Sequence, residues 1–512
     1  KYHAVELHGL KSDTMYYYWI KAGDFSTPRE NSNYFFKTPA SGRVPFTFAV
    51  LGDTSSGKDG FDFDHKYMHS DVTPTIEKKD NFTLYAWEKS KSESLKNESY
   101  MPPLVDVAEV IHLSSIPDWD YISKWYYDLS ESKIDANYVV DNKIKELFPE
   151  GHEAMTEQEK VDIIYDYIVK EIRYSSVSFR QSNFIPQKAS KTILTKIGDC
   201  KDVSTLFVTL AREVGLEAHI ALVNTRGNGK DALAEPSPAF NHAIAAVYIN
   251  GKKYYTDLTS DKLPFSTLGQ GLKNSFFLDI IGDKDVTVKP GYLHPETSLE
   301  NNIYRYSNIN FEEARMNVSK RTIKTGTYAS YTRNSYQDEG EEARRKKMSE
   351  AISSDLKNVR LKTLDFDENL DSTSDSVTYK YSYQVDNVFT NVGSMSLLKI
   401  PFADPEESNT FTSSLERNFP VELWKFTSRD DYYEELNIEL PSGKSIVEKP
   451  KDKHYDSEFA SYDLTFELNG DDLIVKRQFK LKKSHVPVEK YDEFTSFYKK
   501  VVAADETQIG LK

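Results

Sequence analysis

The chain has 512 residues, a formal net charge of −15 and one cysteine, and these properties exclude several classes of protein. A chain of this length folds as several domains rather than around one hydrophobic core. Its acidic balance, with no block of lysine and arginine, argues against a nucleic-acid partner, because phosphate binding needs a concentrated basic surface. No apolar run reaches the ~18 residues of a membrane span, and one thiol makes neither an internal disulfide nor a cysteine-rich zinc site.

Residues 1–43 are predicted to form part of a small β-sandwich. Val5 to Leu10, Met15 to Ile20 and Tyr34 to Lys37 contain the β-branched and aromatic residues that favour strands. These runs resemble the last strands of the fibronectin-III-like domain that precedes the catalytic domain of purple acid phosphatases. The resemblance implies a partial fibronectin-III-like segment at this end of the chain.

Residues 44–74 continue that resemblance and then depart from it. The strand-like run Phe46 to Thr54 is similar to the first strand of a metallophosphatase, in which Asp53 would be a metal ligand. The chain lacks the Gly-Asn-His-Asp/Glu and Gly-His-x-His motifs that complete such a site. We therefore expect an incomplete phosphatase-like strand and loop. Either a true fusion or a missing intervening segment would explain the join to the next region of the chain.

Two further motifs in this region could bind ligands, but simpler interpretations are favoured. Gly52 to Lys58 mimics a P-loop, yet Asp59 stands where Ser or Thr would bind Mg²⁺, so a glycine-rich loop is favoured. A cluster of acidic residues and histidines could bind a divalent metal, although a solvated loop is the favoured interpretation. Its members are Asp53, Asp62, Asp64, His65 and His69. We expect neither a metal nor a cofactor.

The middle of the chain contains two strongly marked helices. Thr156 and Glu159 form a capping box, and apolar residues follow at helical spacing. A second helix begins after Asp199, a good N-cap, and carries one apolar stripe up to Gly215. The lone cysteine, Cys200, stands in its first turn, where free backbone N–H groups and the positive end of the helix dipole stabilise a thiolate. The same N–H groups could hold a developing oxyanion.

His242 is the best-placed base for this thiol. It opens a strand that reaches Ile249 and turns at Asn250-Gly251, a dipeptide typical of a two-residue type I′ hairpin. Such a hairpin pairs His242 with Thr259 and makes Asp257 the diagonal neighbour of His242, about 7–8 Å away at the backbone. A carboxylate can accept a hydrogen bond from an imidazole at that spacing. The pattern therefore predicts that Asp257 fixes the tautomer of His242, which takes the thiol proton.

Three motifs within residues 136–285 resemble the transglutaminase-like superfamily. In chain order they are Gly198 to Asp202, Asn241 to Ala243 and Tyr255 to Asp257. The Gly-Asp-Cys-Lys-Asp run is similar to a bacterial branch of that superfamily. The resemblance implies a papain-like core, with the cysteine at a helix N-terminus and the histidine and aspartate on successive strands. Residues 75–135 then resemble the tail of the β-rich module that precedes such domains in many bacterial proteins.

The resemblance also implies roles for individual residues. Cys200 would be the nucleophile, His242 the base and Asp257 the orienting carboxylate. The oxyanion donor stays open, and the candidates for support at the helix N-terminus are Asp199, Gln181 and Gln187. Taken singly, the three catalytic candidates also fit simpler roles: an inert buried thiol, a satisfied histidine at a strand end and a solvated turn residue.

Residues 286–512 are predicted to form a C-terminal β-rich domain. Val377 to Val385 and Tyr462 to Leu481 are strand-like, and Asn469-Gly470 indicates a hairpin within the second run. The chain closes with an amphipathic helix. Its apolar stripe consists of Tyr491, Phe494, Phe497, Tyr498 and Val501.

The sequence therefore predicts a multidomain α+β protein in which β-rich, sandwich-like domains flank a papain-like core. Its predicted function is that of a cysteine peptidase or amidase, acting by thiol acyl transfer on a peptide or protein without a cofactor. Two alternatives stay open: a surface or periplasmic binding scaffold whose site no longer turns over, and an acyltransferase that cross-links proteins. The patterns carry no signal for the oligomeric state.

The location of the protein is predicted from the family resemblance and the β-rich modules. Both favour the periplasm, the cell surface or secretion in a bacterium. The chain opens on Lys1 rather than Met, so we expect the native N-terminus to be absent.

Overall fold

The computed structural model of the chain divides into two compact units. The first unit comprises residues 1–97 and 108–115, and the second comprises residues 98–107 and 116–512. The residues that the structure describes are 64–79, 82–87, 95–176, 184–293, 299–367, 369–407, 411, 416–427, 429–470 and 472–512, together with four short strands before residue 38.

The first unit is described as antiparallel pairs of short strands. The strands are β1 (Met15–Tyr17), β2 (Lys21–Ala22), β3 (Phe25–Ser26), β4 (Phe35–Lys37), β5 (Asp64–Met68), β6 (Thr75–Lys79), β7 (Phe82–Ala86) and β8 (Val110–Ser114). β1 pairs with β4, β2 with β3, β5 with β8, and β6 with β7. The predicted strand Val5 to Leu10, the phosphatase-like run Phe46 to Thr54 and the loop Gly52 to Lys58 lie outside the described residues.

The acidic and histidine cluster of the first unit is only partly described. Asp53 and Asp62 lie outside the described residues. His65 is on β5, where the centroid of its ring lies 5.5 Å from that of Tyr85 and 6.1 Å from that of Trp87. Within the described part of the chain, no group of three or more His, Cys, Asp or Glu side chains is placed to hold a metal ion.

The second unit contains the described helices, and the two that the sequence marks most strongly are confirmed. The helices are α1 (Trp119–Ser130), α2 (Tyr138–Leu147), α3 (Glu157–Glu171), α4 (Ala189–Thr195), α5 (Cys200–Glu213), α6 (Thr327–Tyr336), α7 (Glu341–Asp355) and α8 (Tyr491–Asp505). α3 begins with the predicted capping box between Thr156 and Glu159. α5 begins after Asp199, and Gly215, with a φ of +82°, follows its C-terminus. No described helix is long and apolar enough for a membrane span.

A five-stranded antiparallel sheet packs against α5. The strands of this region are β9 (Arg173–Tyr174), β10 (Ile197–Gly198), β11 (Ala218–Asn224), β12 (His242–Ile249), β13 (Lys252–Thr256), β14 (Phe276–Asp279) and β15 (Gly291–Tyr292). The sheet order is β13-β12-β11-β14-β15, and β9 and β10 form a separate parallel pair. Leu206 and Phe207 of α5 are fully buried in one core with Ala243 and Ala245 of β12. Burial of each large side chain contributes about 1.5–3 kcal/mol, so this packing holds α5 firmly on β12.

The hairpin between β12 and β13 has the predicted turn but a shorter ladder than predicted. Asn250-Gly251 have φ values of +51° and +76°, and Ile249–Lys252 is the closing pair, as a type I′ loop requires. The ladder ends at the pair Ala245–Thr256, so the predicted pair His242–Thr259 does not form. The cause is local: the N–H and hydroxyl of Thr259 donate to Asp257 instead, at 3.0 and 2.7 Å.

The C-terminal region is built around an eight-stranded sheet, which confirms the predicted β-rich architecture. Its strands are β16 (Asn302–Glu312), β17 (Arg315–Thr325), β18 (Val359–Phe366), β19 (Ser376–Asp386), β20 (Phe389–Val392), β21 (Met395–Lys399), β22 (Val421–Glu422), β23 (Asp431–Glu439), β24 (Lys453–Asp456), β25 (Ala460–Asn469), β26 (Asp472–Leu481), β27 (His485–Val486) and β28 (Gln508–Leu511). The large sheet has the order β18-β19-β17-β16-β23-β26-β25-β24. β20, β21 and β28 form a second sheet, and β22 pairs with β27.

Two local predictions for this region are confirmed. The pair Asn469–Asp472 closes the hairpin between β25 and β26. The whole predicted stripe of α8 is buried, and Phe497 and Val501 pack into the core of the large sheet. The helix therefore covers one face of the sheet, as its 3.6-residue periodicity requires.

A buried network of charges connects that sheet to α8. The Lys320 ammonium donates to Glu434 at 2.8 Å, and the Arg477 guanidinium donates to Glu434 at 2.9 Å and to Asp505 at 2.8 Å. Burial acts to raise the pKa of Glu434, but the two cations outweigh it and lower the pKa. Because each charge is paired inside the protein, loss of one partner would strand the others in a medium of low polarity.

Candidate active site

Cys200 lies at the N-terminus of α5, and a reciprocal capping box holds that end of the helix. The Asp199 carboxylate accepts from the Asp202 N–H at 3.3 Å, and the Asp202 carboxylate accepts from the Asp199 N–H at 3.1 Å. The Lys201 ammonium also donates to Asp199. Burial raises the pKa of Asp199, and the ammonium opposes that rise. Cys200 itself is 5% exposed.

His242 is the first residue of β12 and pairs with Val223 of β11. Its ring atom Nε2 lies 3.5 Å from Oδ1 of Asp257, and Cys200 is near enough to contribute to the raised pKa of the ring. Because Nε2 faces the carboxylate, Nδ1 is the nitrogen that remains for the thiol. The structure thus brings Cys200, His242 and Asp257 together.

The charge state of this cluster depends on a competition between burial and ion pairing. Burial acts to lower the pKa of His242, but Asp257, followed by Cys200, outweighs it and raises the pKa to about 10. Burial acts to raise the pKa of Asp257, and His242 together with Thr259 outweighs it, so that this pKa is lowered. The balance favours an imidazolium beside an ionised carboxylate at neutral pH.

Ser204 joins the helix of the cysteine to the strand of the histidine. Its hydroxyl lies 2.8 Å from the Cys200 carbonyl oxygen and 3.3 Å from the Ala243 carbonyl oxygen, and it is buried. Sequence reasoning did not select this residue. The available signal was its position one helical turn after Cys200, on the face that turns toward the sheet.

Asp202 connects the first turn of α5 to Gln187. It accepts from the backbone N–H and the side-chain amide of Gln187, both at 2.7 Å. A Cβ on Gly198 would lie 2.9 Å from the Cβ of Asp202, which explains why glycine occupies that motif position. Gln187 therefore contacts the helix N-terminus through Asp202. Gln181, the other glutamine proposed from the sequence, lies outside the described residues.

Two tyrosines also lie close to the thiol, and the sequence did not assign them to the site. Burial, followed by the charge of Cys200, raises the pKa of Tyr126 of α1 and of Tyr174 of β9. Both phenols are therefore neutral at physiological pH. They lie in elements that are remote in sequence from Cys200, so no local pattern could have indicated them.

Comparison with known families identifies two regions of this chain. Residues 148–256 match the sequence model of the transglutaminase-like superfamily. This matched range includes Cys200 and His242 and ends one residue before Asp257. Residues 393–511 match a domain of unknown function, DUF3858. The chain thus contains a transglutaminase-like core followed by a DUF3858 domain, and the α+β fold with β-rich flanking regions is confirmed.

Individual relatives resemble parts of this chain. Kyphoscoliosis peptidase from Homo sapiens is 26% identical over 145 residues, which are 28% of this chain and 20% of the human protein. The crystal structure of “a putative protease” from Parabacteroides distasonis superposes on this chain with a TM-score of 0.56 and 11% sequence identity. The match covers 88% of this chain and 70% of the Parabacteroides chain. That likeness shows a shared fold. “A putative cysteine protease” from Cytophaga hutchinsonii is 15% identical, covers 41% of this chain and 70% of its own, and has a TM-score of only 0.20.

Proposed function

We propose that this protein is a cysteine peptidase or amidase that cleaves peptide or protein amides by thiol acyl transfer. Cys200 is the nucleophile, His242 is the general base and acid, and Asp257 orients the imidazole. The observation that carries the proposal is the approach of the His242 imidazole to the Asp257 carboxylate, Nε2 to Oδ1 3.5 Å, near the single cysteine of the chain, with the pKa of the imidazole raised to about 10.

The proposed reaction has two halves. In the first, the thiol proton already resides on His242 as part of its imidazolium, and the thiolate sulfur of Cys200 attacks the amide carbonyl carbon to give a tetrahedral oxyanion. The carbon–nitrogen bond then breaks, His242 gives its proton to the leaving amine, and a thioester remains on Cys200. In the second half, His242 takes a proton from water, whose oxygen attacks the thioester. The carbon–sulfur bond breaks, which restores the Cys200 thiolate beside the His242 imidazolium, and the carboxylic acid product leaves and loses its proton to solvent.

The oxyanion requires hydrogen-bond donors, and the start of α5 can supply them. Cys200 is the first helical residue, so its backbone N–H has no partner within the helix. This N–H and the positive end of the helix dipole would stabilise the charge that develops on the carbonyl oxygen. The capping box between Asp199 and Asp202 holds this turn in a fixed conformation.

Hydrolysis, rather than transfer to an amine, is supported by the names of two relatives. The human relative is named a peptidase, and the Parabacteroides protein is named a protease. This chain matches a fifth of the human protein, so the activity is proposed for the shared core alone. A cross-linking acyltransferase would share the first half-reaction and would differ only in using an amine to resolve the thioester.

A binding scaffold without turnover is the rival function, and one observation favours it. Cys200 is 5% exposed, so a substrate carbonyl can reach the sulfur only along a narrow path. A buried cysteine of this kind is often an inert apolar side chain. Turnover of a substrate therefore separates the two functions.

Hydrolysis of a fluorogenic peptide-amide library tests the proposal. We expect wild type to cleave some members, and Cys200→Ala and His242→Ala to lose about 10³-fold or more in kcat/KM. His219→Ala is the matched control, because His219 lies on the same sheet and also faces a carboxylate, with Nε2 3.0 Å from Oδ1 of Asp279. We expect it to retain most of the activity. Full activity in Cys200→Ala, or equal losses in both histidine variants, would contradict the proposal, and no cleavage by wild type would favour the scaffold.

A further inference from the structure

A pocket of about 530 Å³ lies between two loops of the second unit. One loop is 269–271, which precedes β14, and the other is 424–427, which follows β22. Thr327 and Tyr331 of α6 complete the described lining. The volume lies within the range of roughly 300–1,000 Å³ that is typical of ligand pockets.

Gly269 and Gly271 leave one side of this pocket without side chains. A Cβ built on either glycine would meet no atom within 4 Å, and neither residue has a positive φ. Neither the backbone conformation nor local packing therefore requires glycine here. What the glycines provide is open space, in which a ligand can approach the backbone closely.

Trp424 forms an aromatic wall whose orientation is fixed by its neighbours. The Arg226 guanidinium stacks on its ring at 4.8 Å, and its indole N–H donates to Glu422. Arg226 also donates to Glu422 at 2.8 Å, so the three side chains hold one another. Tyr331 adds a second ring and is 60% exposed. The wall is thus formed before any ligand arrives, which reduces the entropy lost on binding.

The carboxylates around the pocket are already paired. Glu422 is paired with Arg226, and Asp430 is paired with Lys273 at 2.6 Å. Lys425 is the charged residue of the described lining, and its ammonium donates to the Met101 carbonyl at 2.7 Å. Both carboxylates are occupied, so an uncharged ligand group fits this pocket better than a basic one, which would need a partner.

Arg226 also connects the pocket to the candidate active site. It follows three residues after Val223, which pairs with His242, and its backbone N–H donates to the Gly271 carbonyl at 2.9 Å. Three residues of extended chain span about 10 Å. A peptide strand rises about 3.3 Å per residue, so a peptide of several residues bound at the candidate active site would reach the pocket.

We infer that this pocket is a substrate subsite that takes an aromatic side chain of the peptide, a few residues from the bond that Cys200 attacks. The inference rests on the proposed function and names part of its specificity. An aromatic ring would pack against the ring of Trp424 and over the backbone of Gly269 and Gly271. The DUF3858 region would thereby contribute to substrate selection, since Trp424 lies within its matched residues.

Alkylation of Cys200 by iodoacetylated peptides tests this subsite without requiring turnover. The probes are short polyalanine peptides in which one phenylalanine is moved from position to position. In wild type we expect one position to raise the second-order rate about tenfold or more, as burial of an aromatic ring would. Gly271→Leu fills the pocket, and Trp424→Ala removes its wall. In each variant, the peptide with phenylalanine at the preferred position should react at nearly the same rate as the other peptides. Neither variant should change the rate with iodoacetamide.

Gly340→Leu is the matched control, because a Cβ at Gly340, the N-cap of α7, also meets no atom within 4 Å. We expect this variant to keep the phenylalanine preference. The inference would be overturned by a wild-type protein without any preferred position, or by a preference that survives in both pocket variants. The wild-type protein could prefer one phenylalanine position while alkylation of Cys200 proceeds equally fast in His242→Ala. That outcome would support the subsite and contradict the proposed catalysis.

Discussion

Burial lowers the pKa of His242 and ion pairing raises it, and the effect of ion pairing is the larger. The pKa rises from 6.5 to about 10, because Asp257 and Cys200 stabilise the imidazolium more than burial destabilises it. A group whose pKa is raised by folding contributes stability that is fully present below its unfolded value. That contribution is lost as the pH rises through the folded value. The window for His242 therefore extends from about 6.5 to about 10.

His242→Ala should accordingly cost more stability at low pH than at high pH. We expect its destabilisation to shrink by about 4 kcal/mol between about pH 6 and about pH 10.5, measured by urea unfolding of both proteins at each pH. Leu222→Ala is the control, since Leu222 is fully buried on β11 and does not titrate. The destabilisation caused by Leu222→Ala should be the same at both pH values. A pH-independent cost for His242→Ala would contradict a stabilised imidazolium.

The positions of the three central residues could be predicted because their signals are local. A lone cysteine after an N-cap, and a histidine and an aspartate around an Asn-Gly turn, are readable from spacing alone. The hairpin pairing from which the contact between His242 and Asp257 was predicted is nevertheless partly wrong, because the ladder of β12 and β13 stops at Ala245–Thr256. Asp257 lies beyond the ladder in a turn with Thr259, and a ladder rule does not describe such a turn.

At the scale of elements, α5 and β12 are each predictable, but their contact is not. Caps, apolar stripes and turn residues act within a few positions of the chain. The hydroxyl of Ser204 instead lies near two carbonyl groups, one on each element, which requires the final packing of the helix on the sheet. Ser204 is therefore a positioning residue for the cysteine relative to the histidine.

Ser204→Ala should slow alkylation of Cys200 by about tenfold at neutral pH, because a small displacement of the sulfur weakens its contact with His242. Thr209→Val is the matched control: the Thr209 hydroxyl donates to the Thr205 carbonyl at 2.8 Å on the same buried helix, without reaching β12. Both variants should lose about 1 kcal/mol of stability. Equal alkylation rates in the two variants would show that Ser204 is merely structural.

At the scale of the whole molecule, the sequence predicted the class of architecture but not the long-range pairing. Lys320, Glu434 and Arg477 stand on the same strand faces as the apolar residues two positions away, so each places a charge in an otherwise apolar pattern. They are buried because β17, β23 and β26 belong to one sheet that α8 covers. The pocket beside Trp424 has the same origin, since its loops are separated by about 150 residues and no local pattern relates them.

Whether Cys200 is an activated nucleophile is tested most directly by the pH dependence of its alkylation by iodoacetamide. In wild type, we expect a rate that is already near its maximum at about pH 7, well below the ~8.5 at which a free thiol is half ionised. His242→Ala should be slow at that pH and should speed up only above ~8.5, while His219→Ala should behave as wild type. A wild-type profile like that of a free thiol, and unchanged in His242→Ala, would contradict the catalytic account and leave a transglutaminase-like scaffold.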